Sequence, residues 1–146
     1  MKVLINCLIF ICIISFCKAQ GVIQLTDTNY VVISYKQADI YKTSRKIKEA
    51  SLSANEVHQI GDLANKCIDE YNKGKWEKID KNYKIQLVPF VNEKGEKEVW
   101  VNCFCWYDGD WRKNIAGMMD GGSCFFNLKI NLNRKKYYHL IVNGYA

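Results

Sequence analysis

The stretch SANEVHQIGDLANKCIDEYNKG, Ser53 to Gly74, decides the fold class. It opens on Ser53-Ala54-Asn55-Glu56, where a serine hydroxyl accepts from an amide that the first helical turn leaves without a partner. The glutamate three residues on reaches back to the serine amide. Val57, Ile60, Ala64, Cys67, Ile68 and Tyr71 then recur at three-and-four spacing, which lays one apolar stripe along a helix. Asn72-Lys73-Gly74 closes it, the glycine being free to take left-handed backbone. Cys67 therefore faces inward from the last third of the helix.

Outward from this helix the apolar period changes from 3.6 to 2. Residues 83–91 and 98–106 flank Asn92-Glu93-Lys94-Gly95-Glu96-Lys97, a hairpin signature. In the second of these strands Val101, Cys103 and Cys105 share one face, and Trp100, Asn102, Phe104 and Trp106 the other. Residues 124–132 alternate in the same way, with Cys124, Phe126, Leu128, Ile130 and Leu132 opposed to Phe125, Asn127, Lys129 and Asn131. A turn at 133–136 leads to a last strand over 137–142. Before the helix, 29–36 reads as extended, and 37–52 leaves room for another short strand. Strands around a single helix predict an α+β domain: one long helix packed on an antiparallel sheet of four or five strands.

The N-terminus reads differently from all of this. Lys2 precedes an apolar run over 3–16, broken only by Asn6 and Ser15, which is the pattern of a secretory signal peptide. The run falls short of the roughly 20 residues that a spanning helix needs, so no membrane span is expected. Cys17-Lys18-Ala19 places the cleavage after Ala19, giving a signal peptide over 1–19 and a single α+β domain over 20–146. The rival reading, a lipid on Cys17 as in bacterial lipoproteins, wants a small residue where Phe16 stands. The expected destination is secreted, or the periplasm and cell envelope.

Charge and composition exclude several classes. Cleavage removes Lys2 and Lys18, which lowers the 21 Lys and Arg to 19 against 15 Asp and Glu, a net charge of +4. These cations are scattered rather than gathered on one stripe, so no nucleic-acid partner is expected. With 49% apolar and 13% aromatic residues the chain is not a disordered one.

Processing also leaves four cysteines of seven: Cys67, Cys103, Cys105 and Cys124. An even count in an oxidising compartment predicts a disulfide-stapled domain, and four cysteines allow three pairings. Facing Cys67 down from the helix onto the strand that carries Cys103 favours Cys67–Cys103. Cys105 and Cys124 border one loop, which favours Cys105–Cys124. A Cys-x-Cys pair with two distant singles does not have the spacing of a structural zinc site, so neither metal nor cofactor is expected.

The order of strand, helix and antiparallel meander resembles the cystatin-like architecture, whose inhibitors carry a Gln-x-Val-x-Gly hairpin. In Gln86-Leu87-Val88-Pro89-Phe90 the first and third positions match and Phe90 replaces the glycine. That resemblance implies a secreted protease inhibitor as an alternative function. The last third, from Trp100-Val101-Asn102-Cys103-Phe104-Cys105 through Gly121-Gly122-Ser123-Cys124 to Tyr145-Ala146, resembles small exported bacterial proteins of unassigned function and implies no activity.

No catalytic constellation stands out, and no enzyme is expected. The histidines, His58 and His139, fall on a helix and a strand with no cysteine placed to pair with them. Asp108-Gly109-Asp110 and Asp120-Gly121 are turn formers that lack the register of a calcium loop. The unusual feature is the loop 106–122, which carries Trp106, Tyr107 and Trp111 with Met118 and Met119. Long loops in compact domains tend to be functional, and exposed Trp and Tyr make binding surfaces. The other reading folds these side chains over the sheet as a second small core. The expected function is an exported, non-catalytic binding or interaction module for an extracellular or envelope partner.

Overall fold

The computed structural model describes residues 21–35 and 47–145. The expected signal segment 1–19, Cys17 included, lies outside the described residues.

The helix α1 spans Ala54–Asn72 behind the N-cap Ser53. The Glu56 amide donates to Ser53 Oγ at 3.3 Å, and the Ser53 amide donates to Glu56 Oε2 at 2.8 Å, so both halves of the capping box form. Lys97 Nζ sits 2.7 Å from Glu56 Oε1, which ties this helix start to the sheet. Past the far end Gly74 takes the left-handed backbone expected of it, at φ 71°. Ile60, Ala64, Cys67 and Ile68 of the stripe are buried.

Among the described residues six strands form one sheet: β1 (Tyr30–Val32), β2 (Lys48–Glu49), β3 (Lys84–Val91), β4 (Lys97–Phe104), β5 (Phe125–Asn131) and β6 (Lys136–Val142). Their order is β1-β3-β4-β5-β6, with β2 also paired to β3. The run from β3 to β6 is antiparallel, as the hairpin pattern predicts. The expectation of a purely antiparallel, four- or five-stranded sheet is corrected here, because β1 joins β3 in parallel. A strand that precedes a helix and pairs with the strand after it is returned by a crossover in the same direction, and α1 supplies that crossover.

On its outer side β3 receives β1 at residues 85–87 and β2 at residues 90–91. Pro89 falls between them. The Ile85 amide points toward the β1 side, bonding Asn29 O at 2.8 Å, so odd positions of β3 turn their backbone outward. Pro89 therefore lacks its donor where no partner strand would receive it.

The face under α1 holds the main core, with Ile85, Leu87, Val99, Val101, Phe126, Leu128 and Ile130 essentially inaccessible. Each such side chain contributes on the order of 1.5–3 kcal/mol by leaving water. Near its middle β6 carries a bulge: Tyr138 pairs with Lys129 and Ile141 with Asn127, so His139 and Leu140 together oppose Leu128. His139 accommodates the extra residue at φ 52°.

Cys105 and Cys124 are disulfide-bonded, with Cα atoms 5.2 Å apart, and close the loop between β4 and β5. The expected Cys67–Cys103 bridge is corrected: both are free thiols, and both are buried. The helix lies nearest β5 and β6, so Cys67 comes to rest beside Tyr137 of β6. Cys103, on β4, lies beside Tyr83 instead. A bridge needs Cα atoms within about 7 Å, and a thiol aimed at the β6 side of the layer does not meet one on β4.

Candidate binding site

Gln86, Val88 and Phe90 of β3 and Glu98, Trp100, Asn102 and Phe104 of β4 belong to the sheet face turned away from α1, and they pair in register across the two strands. That second face is covered unevenly, and its uneven cover creates the site.

Toward β3 it is closed. Ile33 and the partly buried Val31 and Ile47 pack on Val88, Phe90 and Trp100. The loop after β4 folds back on Phe104 and Phe125, bringing Ala116 with it. Two buried amides fix that loop. Gln86 Nε2 donates to the Trp111 and Asn114 carbonyls at 2.6 and 2.7 Å, and Gln86 Oε1 accepts from the Ala116 amide at 3.0 Å. Asn102 Nδ2 donates to Ala116 O at 2.8 Å and to Gln86 Oε1 at 3.0 Å.

The three residues singled out by sequence therefore do not share one surface. Tyr107 and Trp111 set their rings edge-on to Phe104, at 6.1 and 6.0 Å between centroids. Arg112 lies over the Trp111 ring at 4.4 Å and donates to Thr28 O at 2.9 Å, which pins the loop from outside. Trp106 stays at the rim, edge-on to Phe125 and 48% exposed. Tyr107 and Trp111 join a small second core, whereas Trp106, Met118 and Met119 are exposed.

Toward β6 the second face is open. There a polar network crosses three strands. Glu98, only 8% exposed, accepts on Oε1 from Asn92 Nδ2 at 2.8 Å and from Asn131 Nδ2 at 3.1 Å. Its Oε2 accepts from the Tyr138 hydroxyl at 2.6 Å, which draws that side chain from β6 across β5 to β4. Asn131 Nδ2 also reaches Glu96 Oε2 at 2.9 Å. Glu96 Oε1 accepts from Arg134 Nε at 2.6 Å. The Arg134 hydrogen bond, with help from Asn131 and Asn92 against partial desolvation, holds the Glu96 carboxyl below its ordinary range. Asn92, Glu96, Glu98, Asn131, Arg134 and Tyr138 line a cleft of about 460 Å³.

Sequence reasoning missed this group, although a signal was there. The alternation that places Trp100 and Asn102 on one face, carried back two and four residues, puts Glu98 and Glu96 beside them. The same alternation on β5 gives Asn131. Only the reach of Tyr138 had no signal, because it depends on which strands are neighbours.

Elsewhere among the described residues, the chemistry-bearing side chains are taken up in structural contacts. His58 Nδ1 lies 3.2 Å from Asp62 on the exposed face of α1, away from the buried thiols. Ser123 Oγ receives Lys81 Nζ at 2.9 Å, the contact a serine–lysine nucleophile would use. Yet Ser123 is buried, its amide is already bonded to Glu77 Oε1 at 2.7 Å, and its carbonyl takes the Tyr83 hydroxyl at 2.8 Å. Glu77 also accepts from Tyr145. The serine is thus a junction joining three segments, with Trp76 fully exposed nearby. Asp110 is committed to Lys113 at 3.0 Å. Among the described residues no group of three or more His, Cys, Asp or Glu is placed to hold a metal ion, and no helix is long and apolar enough to cross a membrane. No protein-family model matches the chain, and neither a curated protein nor a solved structure matches it.

Proposed function

We propose that this protein is an exported, non-catalytic binding module, secreted or held in the periplasm or cell envelope, and that it takes its ligand in the cleft over β4, β5 and β6. One observation carries the reading: the floor of that cleft is a prearranged polar network, Tyr138–Glu98–Asn131–Glu96–Arg134, on a sheet face left open to solvent. Side chains already fixed by one another lose little further freedom when a ligand arrives, so their hydrogen bonds go into affinity. Rigid strands hold them to one geometry, which is what recognition requires. The Cys105–Cys124 disulfide fits an oxidising compartment. The inhibitor reading gains no support, since Gln86 and Val88 are wholly buried in β3 and offer no hairpin to a protease cleft.

Amide chemical shifts of the labelled protein, recorded against a library of small polar compounds, test this. Shifts gathered at Glu96, Glu98, Asn131 and Tyr138 are expected. Shifts gathered instead at Trp106 and its loop, or at none of these positions, would overturn the assignment of the cleft.

A further inference from the structure

The polar network has a feature that goes beyond binding in general. Arg134 Nε and Glu96 Oε1, 2.6 Å apart, hold a guanidinium and a carboxylate side by side in the cleft. Among the described residues the hydrogen bond of the Arg134 guanidinium is made through Nε, and the side chain is 53% exposed. The cleft thus presents a fixed donor next to a fixed acceptor.

Charge narrows what fits there. Glu96 and Glu98 in the lining disfavour an anion by charge, and one such as sulfate, an acceptor only, has nothing to give them. Lys94, Arg134 and Lys136 balance the carboxylates of Glu93, Glu96 and Glu98 in the lining, so no net negative charge favours a cation. What remains is a neutral ligand whose own groups both give and receive hydrogen bonds. Two hydroxyls on adjacent carbons do this: one donates to the carboxylate while its neighbour accepts from the guanidinium. The partly exposed Tyr138, its hydroxyl anchored on Glu98, supplies an aromatic surface for the C–H face of a sugar ring. A volume of about 460 Å³ falls within the roughly 300–1,000 Å³ usual for small-molecule sites.

We infer that the cleft recognises a neutral saccharide, gripping a vicinal diol between Glu96 and Arg134 with the sugar ring laid on Tyr138. The inference rests on the cleft being the binding site. The test uses the purified exported protein on an array of neutral and charged glycans, followed by titration calorimetry on whatever binds. Arg134→Ala and Arg134→Lys are compared with the unaltered protein; both changes are at the surface, and thermal melts check that the fold is kept. Lysine retains the charge but not the planar fork. The expected result is binding of a neutral glycan that falls roughly tenfold or more in both variants, the scale of one lost charge-assisted hydrogen bond. Methylation of the same glycan's diol should weaken binding to the same degree. If no glycan binds while peptides or anions shift the cleft amides, the saccharide is refuted and the cleft stands. If a glycan binds equally well to both variants and shifts amides elsewhere, both readings fall.

Discussion

The side-chain amide of Asn102 donates to that of Gln86 at 3.0 Å across β4 and β3, and both residues are buried. Between them they satisfy four backbone groups of the loop after β4 besides each other. The loop's position is therefore set from the middle of the sheet as well as by the disulfide at its base. Gln86→Ala should leave Ala116 N and Asn102 Nδ2 short of an acceptor and cost about 2–4 kcal/mol, since each buried unmet group costs about 1–3. Denaturant titration measures the loss, and amide exchange at Ala116 should quicken in step. Unchanged stability would mean that water replaces the amide at no cost.

The thiol content follows from where α1 lies. Protein without its first nineteen residues should weigh about 2 Da less than the fully reduced chain, two hydrogens for one bridge. Iodoacetamide should label neither Cys67 nor Cys103 in the native state and both after unfolding. A deficit of about 4 Da would restore the second bridge and move the helix.

Alkali should act on the same two residues. Burial pushes the Cys67 thiol up to about 11 from 9.0 and raises Cys103 too. An unfolded chain loses these protons more readily, so the contribution is complete below pH 9.0 and falls away as pH rises beyond it. Replacing both by Ala should flatten the decline in melting temperature between pH 9 and 11.

Ser53→Ala should cost about 1 kcal/mol by leaving the Glu56 amide without its acceptor. Ile60→Ala, in the main core, should cost roughly 2–5 kcal/mol. Glu56 is held below its ordinary 4.5, first by the Lys97 hydrogen bond and then by the Ser53 amide. A carboxyl lowered by folding adds stability above that value and loses it as pH falls through the lowered one. Glu56→Gln should therefore shrink the acid-induced loss seen by circular dichroism below pH 4.5.

The tryptophans should divide by position. Trp76 and Trp106 should be quenched readily by iodide, and Trp100 and Trp111 should not. Trp111→Ala, which strips the ring from Phe104, should cost about 2 kcal/mol, short of the 3–5 of a full core site. Trp76→Ala should fall within about 0.5 kcal/mol of zero.

Much of the fold was legible because it is written in local terms. The cap at Ser53, the stripe through Ile68, the turn at Gly95 and the alternation along β4 and β5 each need only neighbours in sequence. What escaped depends on distant partners. The parallel pairing of Tyr30 with Ile85 carries no local mark that sets it apart from an antiparallel one. The separation of Cys67 from Cys103 depends on which strands the helix crosses, which a stripe does not state. The site escaped for the same reason: Glu98 reads as an ordinary strand polar residue until Asn92, Asn131 and Tyr138 arrive from three directions.

The bulge at His139 bears on how copies of this protein behave when crowded. An outermost strand is a template for further chains, and β6 has seven residues, as many as a fibril-forming segment needs. The extra residue divides it into 136–138 and 140–142, three on either side, and puts the second half out of step with the first. A second molecule arriving edge to edge loses its ladder after three residues. Histidine holds the positive φ at less cost than a β-branched residue would. The strain kept at His139 thus acts as a brake on polymerisation.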